Sequence, residues 1–163
     1  MNRWAAKAGQ TTDQHKGNGI IETRLRVLTW NIWWRFEQWE QRRPAIEATL
    51  NRIDADVIAL QEVWRDETTN LAAELAAALG YHHVFESSMD IEGIGFGNAL
   101  LSRWPIKRHG SVALHGLEEM GEGRIALFAE INGPRGLVPM FSTHLNYKAE
   151  HSQIRQRQVT DLV

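Results

Sequence analysis

Three polar side chains of different chemistry follow short segments with β-strand character. Asn31 follows Leu-Thr-Trp, Glu62 follows Ala-Leu-Gln, and His144 follows Phe-Ser-Thr. A hard divalent cation such as Mg²⁺ often takes only one or two protein carboxylates, because water and substrate phosphate complete its oxygen shell. Histidine can move a proton or stabilise developing negative charge near neutral pH. One carboxylate, one carboxamide and one imidazole therefore suit a magnesium-dependent phosphodiesterase, provided that the fold brings them together.

The sequence before Glu62 makes this residue the most informative of the three. The segment from Asp56 to Trp64 is apolar until Gln61 and Glu62, which indicates a strand buried on both faces. Ligands of open α/β sheets bind at the carboxyl ends of such strands. Other interpretations stay open, since Glu62 could form a structural salt bridge and Asn31 could be a turn residue.

Composition limits the class of protein. The 163 residues are 43% hydrophobic, and 18 basic against 20 acidic residues give a net charge of −2. We see no overall electrostatic attraction to nucleic acid or to an anionic membrane. The absence of cysteine excludes disulfides, thiolate metal sites and a cysteine nucleophile. No apolar run is long enough for a transmembrane helix and no secretory signal is evident, so a cytoplasmic location is the expectation.

The first part of the chain predicts alternating strands and helices. Residues 1–22 lack any periodic pattern and are expected to form a flexible tail before a domain at 23–163. A strand should end at Asn31, a helix should hold Pro44 in its first turn, and the buried strand should end at Glu62. A second helix should follow, with Asp66 as a possible N-cap and Gly80 ending it. This order predicts an α/β layered fold.

The second part predicts a meander of short strands, and after it a helix from Ala149 that has Ile154 and then Val159 or Leu162 as apolar points. The predicted strands are Tyr81–Glu86, Asn98–Ser102, Ile106–Leu114, Arg124–Ile131 and Leu137–Thr143.

A cluster of aromatic and basic residues follows Asn31. The aromatic residues could stack on nucleobases or a lipid headgroup, but burial is the favoured interpretation, since large aromatics dominate cores. The arginines are expected to be solvated, with substrate contact as the alternative. The residues are Trp33, Trp34, Phe36 and Trp39, with Arg35, Arg42 and Arg43.

Four ordered blocks resemble the N-terminal half of the endonuclease/exonuclease/phosphatase superfamily, which is typified by DNase I. They are Thr29–Ile32, Asp56–Val63, Gly97–Ile106 and Ser142–Leu145. The resemblance covers about residues 25–159 and implies an α/β (α+β) fold. In that fold, a four-layer sandwich, two β-sheets pack face to face with helices outside.

The resemblance also implies roles for individual residues. Glu62 would be the principal ligand of Mg²⁺, or of Mn²⁺, and Asn31 would help to bind the metal or the phosphate. His144 would contact the scissile phosphate, and Arg124 would face the same cleft. The implied reaction is direct attack of an activated water on phosphorus.

Two features depart from the family pattern. Asn98 stands near the position of an acidic residue that supports the histidine in DNase-like members, and it could replace that residue. No Gly-Asp-Phe-Asn block, later metal-binding aspartate or closing Ser-Asp-His follows His144. We therefore expect half a site, a domain without its C-terminal half, little activity from this chain alone, and self-association through an exposed sheet face.

Three functions remain possible at this stage. A nuclease is one, and a phosphatase or phosphodiesterase for lipid headgroups, inositol phosphates or small metabolites is a second, which the net charge mildly favours. The third is a noncatalytic or truncated module without hydrolase activity.

Overall fold

The computed structural model describes residues 24–117 and 122–163, so the predicted tail at 1–22 lies outside the described residues. Seven strands and three α-helices are assigned in these ranges, with one 3₁₀ turn before the last helix. They are β1 (Val27–Asn31), α1 (Trp39–Ile53), β2 (Val57–Arg65), α2 (Leu71–Leu79), β3 (His82–Ile91), β4 (Ile94–Ser102), β5 (Ile106–Leu117), β6 (Glu122–Gly133), β7 (Gly136–Thr143), the turn Ala149–His151 and α3 (Ser152–Thr160).

The strands form two sheets. The larger sheet has the order β1-β2-β4-β3, in which β1 and β2 are parallel and joined through α1, whereas the other pairs are antiparallel. The smaller sheet is the antiparallel meander β5-β6-β7. The alternation of strand and helix agrees with the sequence prediction, but only the last three of the five strands predicted as a meander form one, because β3 and β4 join the larger sheet.

Strand β2 is buried on both faces, as its apolar run predicts. Val57 and Ala59 pack in one core cluster with Leu127 and Ala129 of β6, between the two sheets. Successive side chains of a strand point to opposite faces. Ile58 and Leu60 therefore face the other way, in a cluster that includes Leu50 of α1 and Leu71 and Leu75 of α2. Two sheets face to face with helices outside confirm the predicted fold class.

The predicted starts of the first two helices are corrected. Helix α1 begins at Trp39, so Pro44 lies inside the helix rather than in its first turn. The N-cap of α2 is Asn70, whose Oδ1 accepts the Ala73 N–H at 3.3 Å. Asp66 instead closes the preceding turn. Gly80 ends α2 in the left-handed conformation, as predicted, with φ of 69°.

Helix α3 docks through a polar side chain rather than through an apolar stripe. Gln158 is fully buried, whereas Val159 and Leu162, which were expected to supply apolar contacts, are exposed. The Gln158 Nε2 donates to the His115 carbonyl of β5 at 2.8 Å. A hydrophobic pattern could not predict this contact, because the packing residue is an amide.

The outer face of the smaller sheet exposes several apolar side chains beside the Arg108–Glu130 ion pair. Val112, Leu137 and Phe141 are 52%, 48% and 59% exposed, and the Phe141 ring packs only partly against Phe128. This is the type of surface that the sequence predicts, but self-association through it stays a prediction. No helix within the described ranges is long and apolar enough to cross a membrane.

Candidate functional site

A β-bulge places Glu62. Strand β2 pairs Gln61 with Asn98 and Val63 with Gly97, so Glu62 is the extra residue of the bulge. Its φ of 55° is uncommon for a residue with a side chain. Bulges interrupt the alternation of a strand and re-aim side chains, often next to active sites. The carboxylate therefore turns towards the end of β1.

Asn31, the last residue of β1, holds one oxygen of this carboxylate. Its Nδ2 donates to Oε1 of Glu62 at 2.7 Å, and its Oδ1 accepts the Trp33 N–H at 2.9 Å. The backbone bond fixes the orientation of the amide, so the NH₂ group faces Glu62. The structure thus brings Asn31 and Glu62 together, with Asn31 placed to orient the carboxylate. A metal bond through Oδ1 would have to replace the bond from Trp33.

His144 follows β7 and faces the same carboxylate. Its Nε2 lies 3.8 Å from Oε1 of Glu62, and its ring stacks near Phe96, with 6.4 Å between ring centroids. The His144 side chain is 20% exposed and that of Glu62 is 13% exposed. The prediction that β2 ends at Glu62 is wrong, because β2 continues to Arg65 and Glu62 is a bulge within it. Asn31 at the end of β1, Glu62 in the bulge and His144 after β7 nevertheless converge on one half-buried site.

Arg124 of β6 is buried beside His144. Its Nη1 lies 3.3 Å from Nδ1 of the imidazole. A guanidinium can only donate hydrogen bonds, so Nδ1 must accept and the imidazole proton resides on Nε2. Burial, followed by the Arg124 charge, lowers the pKa of His144, and the Glu62 charge opposes this only in part. His144 is therefore a neutral imidazole at pH 7, and its N–H points towards Glu62.

The donor set fits a hard divalent cation. Oε2 of Glu62 is buried and has no hydrogen-bond partner among the described residues, which is costly for a carboxylate oxygen unless something binds it. Within residues 24–117 and 122–163, no three histidine or acidic side chains are close enough to chelate a metal together. Zn²⁺ usually takes three or four protein ligands, whereas Mg²⁺ or Mn²⁺ accepts one carboxylate and completes its shell with water and phosphate. The site therefore suits Mg²⁺ or Mn²⁺.

A buried polar layer that the sequence prediction missed supports the site from behind. Gln61 donates to Ser142 Oγ at 3.3 Å, and Ser142 donates to the Leu60 carbonyl at 3.3 Å, which joins β2 to β7. Asn98 Nδ2 donates to the carbonyls of Ile125 and Ser142 at 3.2 and 3.4 Å. Asn98 therefore anchors the strands, and no hydrogen bond joins it to His144 among the described residues. In the sequence, such residues could be recognised only as an amide or a hydroxyl inside a strand that is otherwise apolar.

The aromatic segment after Asn31 divides into two pairs. Trp34 and Trp39 are buried, as favoured from the sequence, but Trp33 and Phe36 are 45% and 41% exposed. The neighbouring arginines are not merely solvated: Arg35 pairs with Asp66 and Arg43 with Glu74, and Arg42 bonds to backbone carbonyls.

Comparisons with known proteins match most of the chain to one family. The model of the Endonuclease/Exonuclease/phosphatase family matches residues 28–163. A Drosophila melanogaster protein named as a neutral sphingomyelinase is 35% identical over 91 residues, which are 53% of this chain and 20% of that protein.

Solved structures show the same fold. An endonuclease/exonuclease/phosphatase from Beutenbergia cavernae superposes with a TM-score of 0.70 and 27% identity over 85% of this chain and 43% of that one. The human Nocturnin catalytic domain with bound sulfate superposes with a TM-score of 0.67 and 24% identity, over 85% of this chain and 56% of that one. D. rerio TDP2 with a single-stranded DNA product superposes with a TM-score of 0.67 and 18% identity, over 85% of this chain and 52% of that one. The chain thus spans less than two thirds of the length of each of these proteins.

Proposed function

This chain belongs to the endonuclease/exonuclease/phosphatase family, and we propose that it supplies the metal-binding and phosphate-orienting groups of a metal-dependent phosphoric-ester hydrolase. The proposed reaction is attack of water on phosphorus. The observation that carries this proposal is the buried, unpartnered Oε2 of Glu62, which lies on a carboxylate held by Asn31 and faced by His144.

Each side chain has a distinct role in the proposal. Glu62 would hold Mg²⁺ or Mn²⁺, which when bound supplies Lewis-acid stabilisation of charge on the phosphate. Asn31 keeps the Glu62 carboxylate in place through Oε1. His144 donates its Nε2–H to a non-bridging oxygen of the phosphate, where negative charge grows in the transition state. Arg124 keeps that proton on Nε2 by occupying Nδ1, so it positions the histidine.

Activity of this chain alone should be low. Glu62 is the only carboxylate that we place in this site within the described part of the chain, and its oxygens are committed to Asn31 and to the metal. Activation of the attacking water needs a base within hydrogen-bond reach of it, and the described residues offer no second carboxylate for this role. We therefore expect binding of metal and phosphate ester to exceed turnover. A chain that binds and never turns over would be the noncatalytic alternative.

The test separates metal binding from hydrolysis. Thermal unfolding is measured with EDTA, Mg²⁺ and Mn²⁺ for the wild type, for Glu62→Gln and for the matched control Glu67→Gln, whose carboxylate is exposed outside the site. The same proteins are assayed with bis(p-nitrophenyl) phosphate, p-nitrophenyl phosphate and plasmid DNA. We expect a rise in Tm with metal and slow, chelator-sensitive hydrolysis, both lost only in Glu62→Gln.

Two results would overturn the proposal. One is the absence of any metal-dependent rise in Tm in the wild type. The other is metal-dependent hydrolysis that Glu62→Gln leaves unchanged, because the metal would then bind elsewhere. Metal binding without any hydrolysis would favour the noncatalytic alternative, and the substrate that is cleaved fastest identifies the ester class.

A further inference from the structure

Two exposed aromatic side chains lie on the loop between β1 and α1, which begins directly after Asn31 of the site. We call Trp33 and Phe36 the aromatic ledge; their ring centroids are 6.1 Å apart. The Trp33 N–H donates to Asn31 at 2.9 Å, and Asn31 donates to Glu62 at 2.7 Å. Only two hydrogen bonds therefore separate the backbone of the ledge from the Glu62 carboxylate.

The backbone of this loop adopts a rare conformation. Trp33, Trp34 and Glu37 have φ values of 64°, 36° and 50°. Bulky side chains seldom occupy the left-handed region, and such conformations persist at sites where the surrounding structure enforces them. Here Trp34 is fixed from both ends, because its N–H donates to the Glu62 carbonyl at 2.9 Å and its ring is buried against Phe96.

Arg42 of α1 holds the loop in this conformation. Its guanidinium donates to the carbonyls of Trp33 at 2.9 Å, of Trp34 at 3.2 Å and also of Phe36. The same guanidinium lies 4.8 Å from the centroid of the Trp33 ring. Arg42 therefore fixes the loop through these hydrogen bonds and also stacks on Trp33. The aromatic surface is thus prearranged rather than mobile.

The charge in contact with the Trp33 ring is positive, because Arg42 lies over that ring, although the same segment also carries the exposed acidic residues Glu37 and Glu40. Arg35 and Arg43 are neutralised by Asp66 and Glu74. Arg42 has no carboxylate within ion-pair distance among the described residues, and it uses its donors on backbone carbonyls. A cationic ligand on Trp33 would have to approach this uncompensated charge, whereas a neutral π-system attached to an anionic phosphate would not be repelled.

We propose that the aromatic ledge stacks the nucleobase of a nucleotide whose phosphate lies at Glu62 and His144. The position of the phosphate rests on the proposed function, but the stacking surface does not. Aromatic side chains bind nucleobases through their faces with little dependence on base identity, and an arginine on the same ring adds a cation–π contribution. This role would account for the exposure of Trp33 and Phe36, because side chains buried in a core could not stack on a ligand. A phosphocholine headgroup would bring a quaternary ammonium towards Arg42, so the same observations disfavour it.

The experiment compares ligands that differ only in the base. Two-dimensional ¹H–¹⁵N NMR of the 163-residue chain is titrated in Mg²⁺ with AMP and with ribose 5-phosphate, and in EDTA with adenosine. The indole N–H signal of Trp33 is assigned from the Trp33→Phe spectrum. We expect AMP to bind at least about fivefold more tightly than ribose 5-phosphate, and adenosine in EDTA to shift the Trp33 signal.

Variants then locate the effect. Trp33→Leu should remove the preference for AMP, Phe36→Leu should reduce it, and Trp33→Phe should keep most of it because a stacking face remains. Phe141→Leu is the matched control: Phe141 is more exposed than either ledge residue but lies on the outer face of the smaller sheet. This control should bind AMP as the wild type does.

Three outcomes would overturn the inference: equal affinity for AMP and ribose 5-phosphate, a preference for AMP that Trp33→Leu preserves, or stronger perturbation of the Trp33 signal by phosphocholine or phosphatidylcholine vesicles than by AMP. Failure of the proposed function is distinguishable. In that case Mg²⁺ neither binds nor supports hydrolysis, while adenosine still shifts the Trp33 signal in EDTA.

Discussion

Arg124 and His144 form a side-chain pair in which the guanidinium Nη1 lies 3.3 Å from Nδ1 of the imidazole. Strands β6 and β7 pair Ala126 with Thr143, and the side chains of Arg124 and His144 meet just beyond that pair. Because a guanidinium never accepts, the pairing determines which imidazole nitrogen carries the proton. A buried cation next to a histidine would be unfavourable if the ring were charged, so the same contact keeps the imidazole neutral.

The first prediction concerns the tautomer of His144. At about pH 7.5 the wild type should show the Nε2–H form, because Arg124 occupies Nδ1. Arg124→Met should yield a mixture of both tautomers. Long-range ¹H–¹⁵N correlation spectra of the imidazole measure this directly. Arg108→Met, which removes an exposed arginine that pairs with Glu130, should leave His144 as in the wild type. A wild-type protein in the Nδ1–H form would contradict the assignment.

The second prediction is that replacing Glu62 leaves the stability of the metal-free protein nearly unchanged but abolishes the stabilisation by metal. In EDTA, Glu62→Gln should be within about 1 kcal/mol of the wild type or more stable, because it removes a buried charge whose Oε2 lacks a partner. With Mg²⁺ at about 100 times its Kd, the wild type should gain about 2.7 kcal/mol and the variant nothing. Urea unfolding with and without metal measures both quantities. A large loss of stability in EDTA would show that the carboxylate has a structural partner instead.

The third prediction is a pH dependence that arises at Asp66. The N–H and hydroxyl of Thr68 and the N–H of Thr69 donate to its carboxylate and lower its pKa. A carboxyl group with a depressed pKa in the folded state stabilises the protein at neutral pH. This contribution is lost as the pH falls through the folded-state value.

Asp66→Asn can still accept the N–H bonds but does not titrate. It should therefore lose less stability than the wild type between about pH 6 and pH 3. Urea unfolding at several pH values measures the difference. Glu67→Gln removes a neighbouring exposed carboxylate outside the turn and should follow the wild type. Parallel pH profiles for Asp66→Asn and the wild type would refute the assignment.

The sequence predicted the parts of the fold that depend on local pattern. The apolar run of β2 identifies a strand with two buried faces, and the ordered blocks single out Glu62 and His144, whose side chains meet. Contacts set by tertiary packing were beyond it. Asp66 and Asn70 are both good capping residues four positions apart, and only the turn after β2 determines that Asn70 caps α2.

The site shows the same limit. Nothing in the sequence marks Glu62 as a bulged residue with positive φ, because a bulge depends on the register with β4. Likewise the bond from Trp33 to Asn31 depends on the loop conformation that Arg42 enforces. Residue types at the site were predictable from the sequence, whereas their orientation was a product of long-range pairing.

The fourth prediction tests self-association. The exposed outer face of the smaller sheet includes Val112 and Phe141, and exposed apolar side chains of this kind favour association. Sedimentation velocity of the wild type at increasing concentration should show a shift towards larger species. Phe141→Glu should reduce the shift. Phe36→Glu, the same change on the loop between β1 and α1, should not. A wild type that stays monomeric at every concentration would refute this prediction.

The last prediction concerns the buried amide that holds α3 in place. Gln158 is fully buried; its Oε1 accepts the Asn146 N–H at 3.1 Å, and its Nε2 donates to the His115 carbonyl and to Asn146 Oδ1. Gln158→Leu has a similar size but removes these three hydrogen bonds, at a cost of about 2–3 kcal/mol in the free energy of unfolding. Asn146 lies two residues after His144, so amide hydrogen exchange should also accelerate over 144–146. Gln156→Leu, on the exposed face of the same helix, should change neither quantity. If Gln158→Leu is as stable as this control, α3 is held by other contacts and His144 does not depend on its docking.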